Sequence, residues 1–263
     1  MQKVYGLLAG LLLAGSAQAA IQSQVIEYKI DGESYTGYLA YDDAITGERP
    51  GVLVVHEWWG HTDYVRSRAD KLAELGYTAL ALDMYGTGKV ADHPDDALKF
   101  MKVVSENQPL AEKRFNAAYV LLQADNHVDA ERIAAIGYCF GGSTVLNVAR
   151  QNSVDLAGVV SFHGGLATQA PAEKGRLTTP ILVLNGAADP MVPPEQVAGF
   201  ESEMKNAGAD YRLVSYEGAV HSFTNPGANL LGERFNMPLA YDEVADKDSW
   251  QQMQVFLERV FGQ

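Results

Sequence analysis

Apolar and polar positions follow two periods along this chain. In QVIEYKI (Gln24–Ile30) and SYTGYLAYD (Ser34–Asp42) they alternate every second residue on either side of Asp31-Gly32. That is the pattern of two half-buried strands joined by a tight turn, and it predicts an antiparallel hairpin at a sheet edge. Runs that are apolar almost throughout come next: GVLVVHE (Gly51–Glu57), YTALALD (Tyr77–Asp83), RIAAIG (Arg132–Gly137), LAGVVSFH (Leu156–His163) and PILVLNG (Pro180–Gly186). Such runs predict strands buried on both faces, and YRLVSYEG (Tyr211–Gly218) adds a late strand. Between the strands the period lengthens to that of a helix. Val65, Ala69, Leu72 and Leu75 share one face, with Thr62 or Asp63 as the cap before them and Gly76 as the stop after them. Further helices are expected in a stretch ending near Gln123, from Gly141 through Gln151, from about Pro194 to Asn206, and from Lys247 to Phe261.

Buried strands that alternate with helices imply an α/β protein. The expected core is a mainly parallel sheet of about eight strands with helices on both faces. Residues 20–263 then form a single domain. In such sheets ligands bind at the carboxyl ends of the strands. The polar residues that fall there are Glu57, Asp83, Cys139 and His163, with Asp189 and His221 in the loops that follow later strands. The segments Tyr85–Gln108 and Ser222–Ser249 are expected to be loops that shape a pocket.

The first nineteen residues stand apart from this pattern. MQKVYGLLAGLLLAGSAQA has Lys3, a short apolar run and an Ala17-Gln18-Ala19 cleavage signature. This predicts a signal peptide removed after Ala19 and an exported protein, periplasmic or secreted. The apolar run is too short to span a bilayer. With 20 Lys+Arg against 33 Asp+Glu the formal net charge is −13, and there is no basic run. Nucleic acid and anionic membrane are therefore not expected partners. A monomer or a homodimer acting on a small molecule is the expected assembly. The chain has one cysteine, so it cannot form an internal disulfide, and an unpaired thiol in an exported protein is unusual.

That cysteine lies in GYCFGG (Gly137–Gly142), after a strand and at the opening of a helix. The order small-x-nucleophile-x-small in that context describes a nucleophile elbow. A sharp turn lifts the side chain to the sheet edge, small flanking residues let strand and helix approach, and the helix N-terminus favours a thiolate. The Phe140 N–H can point at a developing oxyanion. The plainer alternative is a small buried cysteine among packing glycines. Two later motifs bear on the choice: NGAADPMVP puts Asp189 after one strand, and VHSF puts His221 after the last. Nucleophile, acid, histidine is the chain order of one triad fold. His221 would then move the proton, and Asp189 would orient the imidazole and stabilise its charged form. Taken singly, Asp189 also reads as a turn carboxylate before Pro190, and His221 as a loop histidine held by backbone.

HEWWG (His56–Gly60), LDMYG (Leu82–Gly86), GYCFGG, GAADPMVP and HSFTNP (His221–Pro226) occur here in an order and spacing that resembles the dienelactone hydrolase family of the α/β-hydrolase superfamily. Cysteine in place of the superfamily's usual serine makes the resemblance specific. It implies the α/β-hydrolase fold and an ester or lactone hydrolase with a Cys139–His221–Asp189 triad. It also implies that Glu57 contacts the thiol and helps set its protonation, and that the N–H groups of Trp58 and Phe140 form the oxyanion hole. The resemblance departs at two positions. The family's two carboxylate-binding arginines would fall at Thr87 and Asn225, and neither residue makes a charged clamp. Lys89 and Arg234 are the basic residues available instead.

Trp58, Trp59, Tyr85 and Phe223 stand beside these motifs and suggest an aromatic pocket wall, with plain core as the alternative, and His163 is a core or pocket-lining residue or a competing general base. His56 reads as structural. His61, His93 and His127 lack ligand-like spacing, so no metal is expected, and no cofactor, since no dinucleotide or phosphate fingerprint occurs. A catalytically silent binding protein with the same fold is the alternative reading.

Overall fold

The computed structural model describes residues 21–262. The expected signal peptide and its expected cleavage after Ala19 lie outside the described residues. The hairpin β1 (Ile21–Ile30) and β2 (Glu33–Asp42) pairs antiparallel across Asp31-Gly32. It begins an eight-stranded sheet of order β1-β2-β4-β3-β5-β6-β7-β8. β2 joins β4 (Thr78–Leu82) antiparallel. From there every contact is parallel, through β3 (Arg49–Val55), β5 (Val128–Tyr138), β6 (Val159–Phe162), β7 (Ile181–Gly186) and β8 (Tyr211–Tyr216). Strand order reverses around β3, which puts the switch point beside the carboxyl ends of β3 and β5.

Alternate residues of one strand feed opposite cores. Leu53, Val55, Leu80 and Leu82 face the helices α3 (Gln108–Gln123), α4 (Phe140–Gln151) and α5 (Pro194–Ala207). Val52, Val54, Ala79 and Ala81 face α1 (Asp63–Glu74) and α7 (Glu243–Phe261). Strands buried on both faces need apolar residues at every position, which is why their runs do not alternate.

Several elements differ from the sequence expectation. β3 ends at Val55, so Glu57 stands beyond the strand. β6 is shorter than Leu156–His163, because His163 turns the chain at φ 40°. The region expected as loop before Gln108 contains α2 (Pro94–Ser105), separated from α3 by Asn107, whose side chain caps α3 through Leu110 N–H. α6 (Ala228–Phe235) lies in the other expected loop. α7 starts at Glu243 rather than Lys247, because the Asp242 carboxylate accepts from the Val244 and Ala245 N–H groups. α2 spans 12 residues and α6 only 8, and each carries an apolar face. α6, Trp58-Trp59 and the 91–100 segment share a small third core over the carboxyl edge of the sheet, built on Trp59, Ala91, Ala97, Ala228 and Leu239.

Candidate active site

Cys139 occupies the N-cap position of α4 with φ 54° and ψ −115°. Non-glycine residues rarely adopt positive φ, and such strain concentrates at functional sites. Its N–H donates to Phe162 O (3.0 Å), and its carbonyl accepts from Ser143 N–H (3.1 Å). The flanking glycines allow the turn. A Cβ on Gly137 would stand 2.1 Å from Gly141 O, and one on Gly141 would stand 2.3 Å from Val55 O. No side chain fits at either place, so strand β5, helix α4 and β3 meet backbone to backbone. The thiol is half-buried.

The other two residues reach the same edge from neighbouring strands. Asp189, in the turn after β7, accepts from Met191 N–H with Oδ1 (2.8 Å) and holds His221 Nδ1 with Oδ2 (2.7 Å). Both residues are buried. Nδ1–H therefore donates to the carboxylate, and Nε2 faces away without a hydrogen bond of ordinary geometry. The Cys139 sulfur nonetheless lies near enough for its charge to act on the ring. Burial alone would lower the His221 pKa. The negative charge at Cys139 and the Asp189 bond more than offset it and raise the pKa to about 10.

Glu57 is buried at the turn after β3, and burial raises its pKa. Its Oε1 accepts from Ser222 Oγ (2.8 Å) and its Oε2 from Asn225 Nδ2 (2.6 Å). Asn225 Oδ1 accepts from Gly227 N–H (2.9 Å), which leaves the amide only one orientation, NH₂ toward Glu57. The expected contact of Glu57 with the thiol is thus absent among the hydrogen bonds of the described residues. Both oxygens are taken by Ser222 and Asn225. Ser222 itself sits at φ 57°.

His163 and Phe223 were candidates for either the pocket wall or the core. Both are fully buried, in the core beside His221. The His163 ring is 5.3 Å from that of His221 and 5.3 Å from that of Phe223, edge to face in both cases. His163 Nε2 pairs with Thr224 Oγ1 (2.8 Å), whose other partner is Tyr64 OH (2.6 Å). Burial, then the charges of His221 and Arg68, hold the His163 pKa well below the usual imidazole range. Arg68, on α1, donates from one Nη2 to Thr224 O and to Asp246 Oδ1 of α7 (2.8 Å). Its guanidinium lies over the rings of Tyr64, Tyr138 and Trp250 at 5.2, 5.5 and 5.4 Å. The loop carrying His221 is therefore tied to two helices by a buried ion pair.

Phe140 follows Cys139 directly, and Trp58 packs against the same apolar core as Cys139. Phe140 is the first residue of α4, whose N–H has no partner within the helix, and the Trp58 N–H donates to no acceptor among the described residues. His56 sets the Trp58 turn. Its Nδ1–H donates to Glu57 O (2.5 Å) and its Nε2 accepts from Met84 N–H (3.1 Å), while burial lowers its pKa to about 4. Tyr85 is buried against His56 and Phe140 and donates from its hydroxyl to Trp58 O (3.1 Å). Trp59 is buried between Trp58 and Phe235. Tyr85 and Trp59 thus brace the wall, and Trp58 is only half-buried.

Asp83 is a turn-former, accepting from the Tyr85 and Gly86 N–H groups. Thr87 is bound to the hairpin through Thr36 Oγ1 (2.8 Å) and Ser34 O, and Arg234 lies over Phe235. Among the described residues no group of three or more His, Cys, Asp or Glu side chains could hold a metal, and no helix is long and apolar enough to cross a membrane. Sequence reading missed Arg68, Thr224 and Ser222. Arg68 left one signal, a charged residue three places after Val65 on the apolar side of α1. Thr224 and Ser222 left none, since hydroxyl residues in loops are common.

Comparison with known proteins identifies the family of this chain. The profile of the dienelactone hydrolase family matches residues 35–261. A putative carboxymethylenebutenolidase of Aquifex aeolicus is 28% identical over 207 residues, 77% of this chain and 87% of that protein. A probable 2-oxo-3-(5-oxofuran-2-ylidene)propanoate lactonase of Bradyrhizobium is 27% identical over 250 residues, 92% of this chain and 96% of the relative. The crystal structure of a dienelactone hydrolase-like promiscuous phosphotriesterase from metagenomic libraries superposes with TM-score 0.84 at 33% identity, covering 92% of this chain and 99% of that one.

Proposed function

The chain belongs to the dienelactone hydrolase family, and from that premise we propose that it hydrolyses carboxylic esters or lactones through a thioester at Cys139. The observation that carries this reading is the strained Cys139 elbow facing a histidine whose Nδ1 is bound by Asp189 at 2.7 Å. The Cys139 thiolate attacks the carbonyl carbon, and the N–H groups of Trp58 and Phe140 donate hydrogen bonds to the oxyanion that forms. His221 Nε2–H gives its proton to the leaving alkoxide as the C–O bond breaks. Water then attacks the thioester while His221 takes its proton. The second tetrahedral adduct expels the thiolate, and the acid leaves.

A raised His221 pKa favours the imidazolium that this cycle starts from. The buried Glu57 stands ready to influence the thiol only if it leaves Ser222 and Asn225, so substrate that displaces Asn225 would free it. Hydrolysis of p-nitrophenyl acetate by wild type and by Cys139→Ala tests the assignment. Loss of activity in the variant is expected, and equal activity would sink it. Export after cleavage at Ala19 is part of the same proposal. Intact-mass measurement of the exported protein checks it, and a retained Met1 would refute it.

A further inference from the structure

A cavity of about 290 Å³ lies along the outer face of α4, beginning at Phe140, the residue after Cys139. Phe140, Ser143, Thr144, Asn147, Val148 and Gln151 line it from that helix, at the three- and four-residue spacing of a single face. The N-terminus of α3 and the 167–170 segment close its sides. With a rise of about 1.5 Å per residue, its lining residues Ser143 and Gln151 stand about 6 Å and about 18 Å from Cys139 along the axis. Gln151 and Ala170 also border a second cavity, of about 380 Å³, that continues the furrow.

The lining has a definite chemistry. Val104, Ala111, Val148 and Ala167 give aliphatic surface. Asn147 Oδ1 is held by Arg150 Nη1 (3.0 Å), which leaves Nδ2 free to donate. Thr144 donates to Phe140 O (2.9 Å), which leaves its oxygen free to accept. The only charged residue in the first cavity is Glu112, and it is an acid. The arginines of the second are engaged, Arg150 with Glu203 and Arg176 with Glu173 (2.9 Å each). A carboxylate in the furrow would meet no free cation and would be repelled by Glu112.

We propose that this furrow seats the long arm of the substrate, and that the arm is uncharged, an aliphatic frame carrying hydroxyl or carbonyl oxygens. The proposal rests on the ester-hydrolase reading. It agrees with Thr87 and Asn225, which are bound to Thr36 and Glu57 and offer no clamp for an acid. The substrate class therefore differs from a carboxylated lactone by charge, and the selecting residues lie on α4 and α3.

The test compares p-nitrophenyl acetate, too short to enter the furrow, with the p-nitrophenyl esters of hydroxyhexanoic and adipic acids. A second series carries matched neutral and carboxylated arms on the alcohol side of an acetate. Wild type should favour the neutral arm by about tenfold in kcat/KM in one series. Glu112→Arg should shrink or invert that preference. Ala111→Trp should lower kcat/KM for both long esters by about tenfold. Acetate hydrolysis should stay within about twofold in both variants. A neutral-to-carboxylated ratio that neither variant moves, in either series, overturns the furrow while acetate turnover keeps the hydrolase reading alive. Wild type inactive on every ester overturns both. If Ala111→Trp does not fold, Glu112→Arg carries the test alone.

Discussion

Two turns at the carboxyl edge of the sheet each carry a buried histidine, and the two rings lie 5.3 Å apart. His163 follows β6 and His221 lies in the loop after β8. Burial pushes both toward the neutral form. They part because of their partners. His221 has a carboxylate on Nδ1 and the charge of Cys139 near Nε2, and its pKa rises to about 10. His163 has a hydroxyl on Nε2 and nothing on Nδ1, with Arg68 nearby, and it stays neutral. The imidazole is the same in both turns, so the neighbouring charges select which ring can shuttle a proton. A neutral His163 also spares the His221 imidazolium a like charge at close range.

The strongest way to break this contrast is to give His221 a neutral partner. Asp189→Asn should cut kcat by about 10³- to 10⁴-fold, because the amide favours the wrong tautomer and no longer stabilises the imidazolium. Wild-type activity should decline as pH rises through about 10, where the imidazolium is lost. That limb should move to lower pH in the variant, which a pH–rate profile would show. The stability sign agrees: a raised histidine pKa contributes fully below about 6.5 and is lost as pH climbs through about 10.

Next in size is the anchor behind both rings. Arg68→Met leaves Asp246 buried without its partner and releases Thr224 O, a loss of about 3–5 kcal/mol. Thermal unfolding should show a drop of about 10 °C. Thr224→Val acts on the His163 side alone, stranding its Nε2–H and the Tyr64 hydroxyl. It should lower stability by about 1–3 kcal/mol in denaturant titration, with little change in KM. The smallest effect is expected at Glu57. A buried acid with a raised pKa destabilises the fold as pH rises above its unfolded value, near 4.5. Glu57→Gln should therefore raise Tm by about 2 °C at pH 8, with the gain vanishing near pH 4, while esterase activity falls. An unchanged Tm at pH 8 would mean that Ser222 and Asn225 already compensate the charge.

The central strands were legible because they are apolar at nearly every position, a pattern that burial on both faces explains, and the edge hairpin was legible by its alternation. α2, α6 and the start of α7 were not: side-chain caps from His93 and Asp242 begin α2 and α7, and α6 spans only eight residues with no side-chain cap. At the site, GYCFGG announced itself through glycines that admit no Cβ. His163 and Phe223, open in the sequence between core and pocket wall, are core residues, since such a residue looks alike whether it faces the cleft or the back of the His221 loop.

Local sequence by itself determined the strand–helix alternation, the Cys139 elbow, and which residue types wait at the strand ends. Those depend on neighbours in the chain, through steric limits on φ and ψ and the burial of consecutive side chains. Tertiary structure alone decided which carboxylate meets which histidine, that Glu57 is bound by Ser222 and Asn225 some 165 residues on, and that Arg68 of α1 secures the His221 loop against α7. Charge and hydrogen bonding act across a few ångströms of space whatever the separation along the chain, so protonation states were written only when the sheet brought these loops together.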